Sequence, residues 1–155
     1  MHDDRLLTTY CGLYCKDCIP SKKELFWLAA RLQGLLQELH FEKYAELKAG
    51  QTYWSEANKA FKHYPEFMSV LEAIRNLECK TLCREGGGWK GAQCQVRNCA
   101  IEKGLTGCWD CAEYGTCKLL EPLLKFHPNL RYHLELIKKD GIDNWRSKRR
   151  AHYPW

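Results

Sequence analysis

The sequence predicts a mainly α-helical fold, a small helical domain with a loop-rich, cysteine-rich metal-binding insert. Three observations predict it. Apolar residues recur at helical spacing on both sides of the middle of the chain, ten cysteines fall into two blocks, and the longer block is rich in glycine. A chain of 155 residues has the length of one domain and can bury roughly 68–70% of its unfolded surface. We therefore expect an apolar core beside any metal site.

Cysteine distribution divides this single domain, 1–155, into four parts. An amino-terminal cysteine knuckle covers 1–18 and a helical segment without cysteine covers 19–78. The cysteine-rich insert covers 79–117, and C-terminal helices with a basic tail cover 118–155.

The first long helix is expected to start at Ser21, because Ser21 and Glu24 have the spacing of a capping box. Leucines then recur at helical spacing and predict one buried face, formed by Leu25, Leu28, Leu32, Leu35, Leu36 and Leu39. Residues 41–47 either prolong this helix or form a second, short one.

Two more helices are expected after a break at 49–51. Ser55 is placed to cap a helix that runs to about His63, and Pro65 suits the first turn of the next helix. That helix has a second apolar stripe, formed by Phe67, Val70, Leu71, Ile74 and Leu77.

The C-terminal part of the chain predicts one clear helix. Leu130, Leu134 and Ile137 lie at helical spacing, and Gly141 is a typical stop. Asp143 is placed to cap a last short helix.

The insert, 79–117, carries seven cysteines and seven glycines and few apolar residues. We therefore expect thiolate–metal bonds, and not hydrophobic burial, to hold it together. Zn²⁺ accepts four thiolates in a tetrahedron, and structural zinc contributes folding free energy directly.

All ten cysteines are candidate metal ligands: Cys11, Cys15, Cys18, Cys79, Cys83, Cys94, Cys99, Cys108, Cys111 and Cys117. Their spacing predicts two zinc ions. One site combines the pair at 79 and 83 with the pair at 94 and 99, and the other combines the knuckle at 108 and 111 and the thiol at 117 with amino-terminal cysteines. Because ten thiols exceed two four-ligand sites by two, either two thiols stay free or the sites share ligands.

Other cysteine chemistry is left open by these spacings. A disulfide framework is disfavoured because no secretion signal is visible. An iron–sulfur cluster is the alternative cofactor, although the ferredoxin spacings are missing. Thiol redox chemistry at the C-x-x-C of Cys108 and Cys111 is a further alternative, but no βαβ pattern surrounds it.

Several motifs resemble a prokaryotic cysteine-rich family of unknown function that is predicted to bind zinc. They are the C-G-L-Y-C-x-x-C run at 11–18, the glycines at 86–88, the segment 94–104 with its Arg97, Glu102 and Lys103, and the knuckle at 108–111. The resemblance implies a small metal-binding domain with no established reaction. The chain departs from the family pattern at Cys79, which precedes Cys83 by four positions instead of three.

The net charge of +5 is concentrated at the C-terminal end, where 138–155 contains six Lys or Arg against two Asp. Arg146, Lys148, Arg149 and Arg150 lie among aromatic residues, a combination that suits phosphates and bases. Nucleic acid is therefore a possible partner beside an unknown protein partner. The simpler interpretation is a solvated helix end.

The sequence predicts a cytoplasmic protein without a membrane span, since no segment reaches about 20 apolar residues. A binding or accessory module is favoured over an enzyme. An enzyme would need a zinc ion with an open fourth position near Glu102 or Glu113, where a carboxylate can deprotonate bound water.

Overall fold

The structure, a computed structural model, describes residues 4–51, 56–88 and 93–155. Helices dominate the described residues, so the mainly α-helical class is confirmed. The helices are α1 (Asp4–Leu7), α2 (Lys23–Glu38), α3 (Phe41–Ala49), α4 (Glu56–Lys59), α5 (Tyr64–Arg75), α6 (Gln95–Glu102), α7 (Glu121–Leu124) and α8 (Leu130–Asp140). Short 3₁₀ turns join many of them, and the β-structure in the described part is one isolated bridge between Thr8 and Tyr14.

The Cα positions divide the chain into two compact units. One unit comprises Met1–Ser21 and Cys79–Trp155, and the other comprises Lys22–Glu78. All ten cysteines belong to the first unit. The structure therefore does not set 79–117 apart as an insert, because it is the helical segment that interrupts the cysteine-bearing unit. A single domain over the whole chain stays a prediction.

The cysteine-bearing unit has an apolar core, and α8 provides much of it. Leu130, Leu134 and Ile137 are buried as their spacing predicts, and Gly141 ends the helix with φ 81°. Gly12 has φ 83°, and a Cβ there would lie 2.8 Å from the Leu134 side chain, so close packing as well as the turn favours glycine.

Residues of the cysteine-rich stretch share this core. Val96, Cys108 and Trp109 are buried in one cluster with α8, Leu120 and Trp145. The expectation that metal bonds alone hold this stretch is therefore wrong, because hydrophobic burial also holds it.

The helical unit contains α2 to α5, and its first helix departs from the prediction at its start. Helix α2 begins at Lys23, with no side-chain cap. The Ser21 hydroxyl instead donates to the carbonyl oxygens of Cys15 and Cys18, at 2.5 and 2.6 Å. The capping box is therefore absent, since the turn of the cysteine knuckle takes up the hydroxyl.

The predicted buried face of α2 is also wrong. Its buried side chains are Phe26, Ala29 and Gln33, and the Gln33 side chain accepts a hydrogen bond from Arg75 of α5. Five of the six stripe leucines are exposed and Leu36 is half-buried. On α5, Leu71 is buried and Ile74 half-buried, while the other three stripe residues are exposed.

The remaining predicted boundaries hold in part. Residues 41–47 form a separate helix, α3, and Pro65 lies in the first turn of α5 as predicted. Ser55 lies outside the described residues. Asp143 caps no helix, because its carboxylate accepts both hydrogen bonds of the Arg5 guanidinium, at 2.7 and 2.6 Å.

Candidate metal centre

Two C-x-x-C segments of the cysteine-bearing unit share one backbone conformation. Cys15–Asp17 and Cys108–Asp110 are each a single 3₁₀ turn, closed by a 3.1 Å hydrogen bond from the second cysteine's N–H to the first cysteine's carbonyl. The closing residues match as well, with φ/ψ of −76°/132° at Cys18 and −79°/130° at Cys111. The chain therefore contains two equivalent cysteine knuckles.

The aspartate in the third position fixes each knuckle to its surroundings. Asp17 accepts two hydrogen bonds from the Arg149 guanidinium, at 2.5 and 2.7 Å. Asp110 accepts one from the Thr106 N–H at 3.2 Å and another from the Thr106 hydroxyl. Backbone hydrogen bonds and side-chain hydrogen bonds therefore both hold the turns that carry the knuckle cysteines.

The first knuckle lies next to two further cysteines, Cys79 and Cys83. The Cys79 N–H donates to the Pro20 carbonyl at 2.8 Å, which brings Cys79 next to the turn that ends at Cys18. The Cys15 thiol has Cys83, Cys79 and Cys18 as electrostatic neighbours, and the Cys83 backbone hydrogen-bonds it. We call these four residues, Cys15, Cys18, Cys79 and Cys83, the amino-terminal quartet.

The second knuckle meets Cys99 of α6 and Cys117. Cys99, Cys108, Cys111 and Cys117 line one cavity of about 270 Å³. Cys117, Cys111 and Cys99 are also electrostatic neighbours of the Cys108 thiol. We call these four residues the central quartet.

Cys11 and Cys94 belong to neither quartet. The Cys11 thiol has Cys83 and Cys94 as neighbours, and it is itself a neighbour of Cys108. The Cys108 N–H donates to the Tyr10 carbonyl at 2.7 Å, which ties the Cys11 turn to the second knuckle. Cys11 therefore has a neighbouring thiol in each quartet, and Cys94 neighbours Cys83 of the first.

This arrangement agrees only in part with the spacing-based groups: Cys94 is an electrostatic neighbour of Cys83 and Cys11 is one of Cys108, as expected. Cys99 was expected beside Cys79, Cys83 and Cys94, but it lines the cavity of the second knuckle. The reason is that α6 starts directly after Cys94 and carries Cys99 in its second turn, so the two sulfurs have different neighbours.

Burial keeps four of the thiols protonated by raising their pKa. It raises the pKa of Cys11, Cys15 and Cys108 to about 12 each, and it also raises the pKa of Cys83. At neutral pH these groups are neutral, so a metal ion must displace their protons. Among the described residues, no three His, Cys, Asp or Glu side chains are placed as a finished site for one ion. Metal binding therefore requires the thiol side chains to converge further.

Two arginine side chains, one buried and one stacked on an aromatic ring, lie near Cys83. Arg97 of α6 is 4% exposed, and its guanidinium donates to the carbonyls of Cys83 and Gly87 at 3.2 and 2.6 Å. Arg84 stacks on the Tyr10 ring at 4.5 Å. Both cations lower the pKa of Cys83 against the larger effect of burial, and so favour a thiolate there. The sequence singled out Arg97 only through the family resemblance.

The two carboxylates considered for an enzyme lie apart. Glu113 lines the cavity of the central quartet and its carboxylate pairs with Lys103 at 3.4 Å. Glu102 does not line that cavity. Four cysteines thus stand beside one carboxylate in the lining of this cavity.

The basic tail folds back onto the cysteine-bearing unit. Arg146 pairs with Asp4 at 2.5 Å, Lys148 with Asp140 at 2.7 Å and Arg149 with Asp17, while Arg150 stacks on Tyr132 at 4.0 Å. All four proposed nucleic-acid contacts are therefore engaged within the chain. Nucleic-acid binding stays a prediction, and it would compete with these contacts.

Histidines beside the tail form a buried cluster that the sequence did not indicate. His133 is 2% exposed and His152 is 7% exposed. His133 Nε2 accepts a hydrogen bond from the Arg150 N–H at 3.1 Å, and His127 Nδ1 lies 2.8 Å from the His152 carbonyl oxygen. Isolated histidines carry no pattern, so only the fold could reveal the cluster.

We expect stability to fall as the pH drops from about 6.5 to about 4. Burial, with a smaller effect of His127, lowers the pKa of His152 to about 4. In this window the unfolded chain binds a proton that the folded chain excludes, so the free energy of unfolding decreases by a few kcal/mol. Urea unfolding at several pH values measures this slope.

A matched pair of variants isolates the contribution of the buried ring. His152→Phe should flatten the slope, whereas His63→Phe, at an exposed position, should leave it unchanged. An identical slope in the wild-type chain and in His152→Phe would contradict the assignment.

Comparisons with known proteins place the chain in a family without assigning a role. No curated protein and no solved structure matches it. A family described as "Protein of unknown function (DUF3795)" matches residues 7–122, which include all ten cysteines. None of the described helices is long and apolar enough to cross a membrane. Since the match covers well over half of the sequence, the chain belongs to this uncharacterised family, DUF3795.

Proposed function

We propose that this protein is a zinc-binding module in which two ions fasten the amino-terminal knuckle and the middle of the chain into one unit. The observation that carries the proposal is the pair of equivalent knuckles, each brought together with two further cysteines. Zn²⁺ suits a donor set made of sulfur alone, and a C-x-x-C turn supplies two such ligands at a spacing that one ion accepts.

The amino-terminal quartet would hold one ion and the central quartet the other. When bound, zinc would supply thiolate bonds that tie distant stretches of chain together. Arg97 and Lys103 favour these thiolates, since one lies beside Cys83 and the other is close to Cys111 and Cys99. Because four sulfurs fill the coordination sphere of each ion, the sites have a structural role. The module would then be a cytoplasmic binding or accessory protein for a protein partner.

The decisive experiment is metal analysis of protein purified without added metal. We expect bound zinc by elemental analysis, and for the Co²⁺-substituted protein the intense charge-transfer and d–d bands of tetrahedral sulfur ligation. Cys15→Ser with Cys18→Ser, and Cys108→Ser with Cys111→Ser, should each lose an ion. Iron with inorganic sulfide would replace the proposal by an iron–sulfur protein, and a chain free of metal would overturn it.

A further inference from the structure

Helix α2 of the helical unit has a second apolar face, which is exposed. The helix packs inward through Phe26, Ala29 and Gln33, and the Gln33 side chain bonds to Arg75 of α5. Another side of α2 carries five leucines at alternating spacings of three and four residues, each 40–62% exposed: Leu25, Leu28, Leu32, Leu35 and Leu39. We call these five residues the leucine seam. Their spacing is that of a coiled coil, in which a second helix covers the seam.

The exposed apolar surface is broader than the leucine seam. A groove of about 370 Å³ lies beside it, and Leu32 belongs to both. Aromatic rings line much of this groove, among them Phe41, Tyr64 and Phe67, and Phe67 of α5 is itself 44% exposed. A stable interface buries about 800 Å² per partner, so a helix that covers the seam gains further apolar contacts along the groove.

The two flanks of the leucine seam differ in charge. One flank carries Arg31 and Glu38, which lie seven residues apart and are both exposed. The other flank carries Ala29 and Leu36, which are buried and half-buried. Charges at such flanking positions set the partner and its orientation in a coiled coil.

Of the two ways to pair this seam with itself, the antiparallel one brings opposite charges together. In a parallel pair unlike flanks meet, so Arg31 would face the partner's Leu36 and form no ion pair. In an antiparallel pair like flanks meet. When Leu32 lies against the partner's Leu35, Arg31 lies opposite the partner's Glu38, and two-fold symmetry forms this ion pair twice.

The charge of the helical unit does not oppose such pairing. Residues 22–78 contain eight Lys or Arg and eight Asp or Glu, so their formal charges cancel. The net charge of +5 therefore belongs to the cysteine-bearing unit. Two copies of the neutral unit approach each other without long-range repulsion.

We propose that the leucine seam binds the same seam of a second copy of this chain in an antiparallel helix pair. Each chain contributes Leu28 against the partner's Leu39, and Leu32 against the partner's Leu35. The ion pairs between Arg31 and the partner's Glu38 fix the register. The surface contains no cysteine, so this self-association goes beyond the metal-binding proposal and does not depend on it.

Sedimentation velocity of the full chain over a wide range of concentration tests the proposal. We expect a monomer–dimer equilibrium in the wild-type chain. Arg31→Glu and Glu38→Arg should each raise the dimer dissociation constant by about tenfold or more, because each replaces two attractive pairs by two repulsive ones. The double variant, Arg31→Glu with Glu38→Arg, restores both pairs and should return the constant close to the wild-type value. Failure of the double variant to restore the dimer would contradict the antiparallel register.

A matched pair of substitutions on α2 tests the apolar contact. Leu35→Lys places charges at the centre of the seam and should leave a monomer, whereas Trp27→Lys, at a position 65% exposed outside the seam, should leave the dimer intact. Circular dichroism checks that both variants keep their helix content. A wild-type chain that is monomeric throughout would overturn the proposal. If that monomer also bound vesicles of phosphatidylcholine and phosphatidylserine through Leu35, the seam would belong to a lipid surface instead.

Discussion

On the two-site zinc proposal, removing the metal with a chelator is expected to unfold the cysteine-bearing unit. Structural zinc contributes roughly 10 to 16 kcal/mol of apparent binding free energy in small peptides, more than the usual total stability of a domain. The helical unit contains no cysteine, so α2 to α5 should keep their protection. Hydrogen exchange read by mass spectrometry, before and after chelation, measures both units in one sample.

The control is restoration of protection on adding Zn²⁺ back, with Mg²⁺ as the ion that should fail, because it prefers oxygen ligands. Loss of protection confined to Lys22–Glu78 would contradict the prediction, and so would an unchanged exchange pattern throughout. The apolar core around α8 limits how much protection from exchange is lost, because some collapsed structure can persist without metal.

Trp145→Ala should be the most destabilising single substitution in the core, by about 3–5 kcal/mol. The Trp145 side chain is 0% exposed, and its ring packs edge-on against Tyr14 at 6.1 Å and near His133 at 5.3 Å. Its Nε1–H donates to the Thr8 hydroxyl at 3.1 Å. Chemical denaturation of the wild-type chain and the variant gives the difference in the free energy of unfolding.

Two further variants separate the causes. Trp155→Ala removes the same side chain at a position that is 81% exposed, so we expect a change within about 0.5 kcal/mol. Thr8→Val keeps the indole buried but leaves its N–H without an acceptor, for a loss of about 1–3 kcal/mol. Equal effects of the two tryptophan substitutions would show that burial at Trp145 is unimportant.

The spacing of apolar residues predicted the buried face of some helices correctly and that of others wrongly. Helix α8 was predicted with three of its five buried residues and its glycine stop, because its apolar stripe is covered by its own unit. The leucine stripe of α2 has equally regular spacing, yet Phe26 and Ala29 are buried instead. Periodicity identifies a face of a helix, but whether another element covers that face depends on tertiary packing.

The candidate site shows the same limit. Residue type and the C-x-x-C spacing were enough to single out the thiols, because these are local features. Their grouping depends on contacts such as Cys79 with Pro20 and Cys108 with Tyr10, which span long stretches of sequence. The ion pairs of the tail were hidden from the sequence for a similar reason, since the carboxylates that pair with Arg146 and Arg149 lie near the opposite end of the chain.

The hydrogen bond between Pro20 and Cys79 means that the polypeptide departs from the cysteine-bearing unit and returns to it at almost the same point. An excursion with adjoining ends can change in length, or be exchanged for a short hairpin, without rerouting the rest of the backbone. Lys22–Glu78 can therefore be shortened or replaced while both of its attachment points on the cysteine-bearing unit stay where they are.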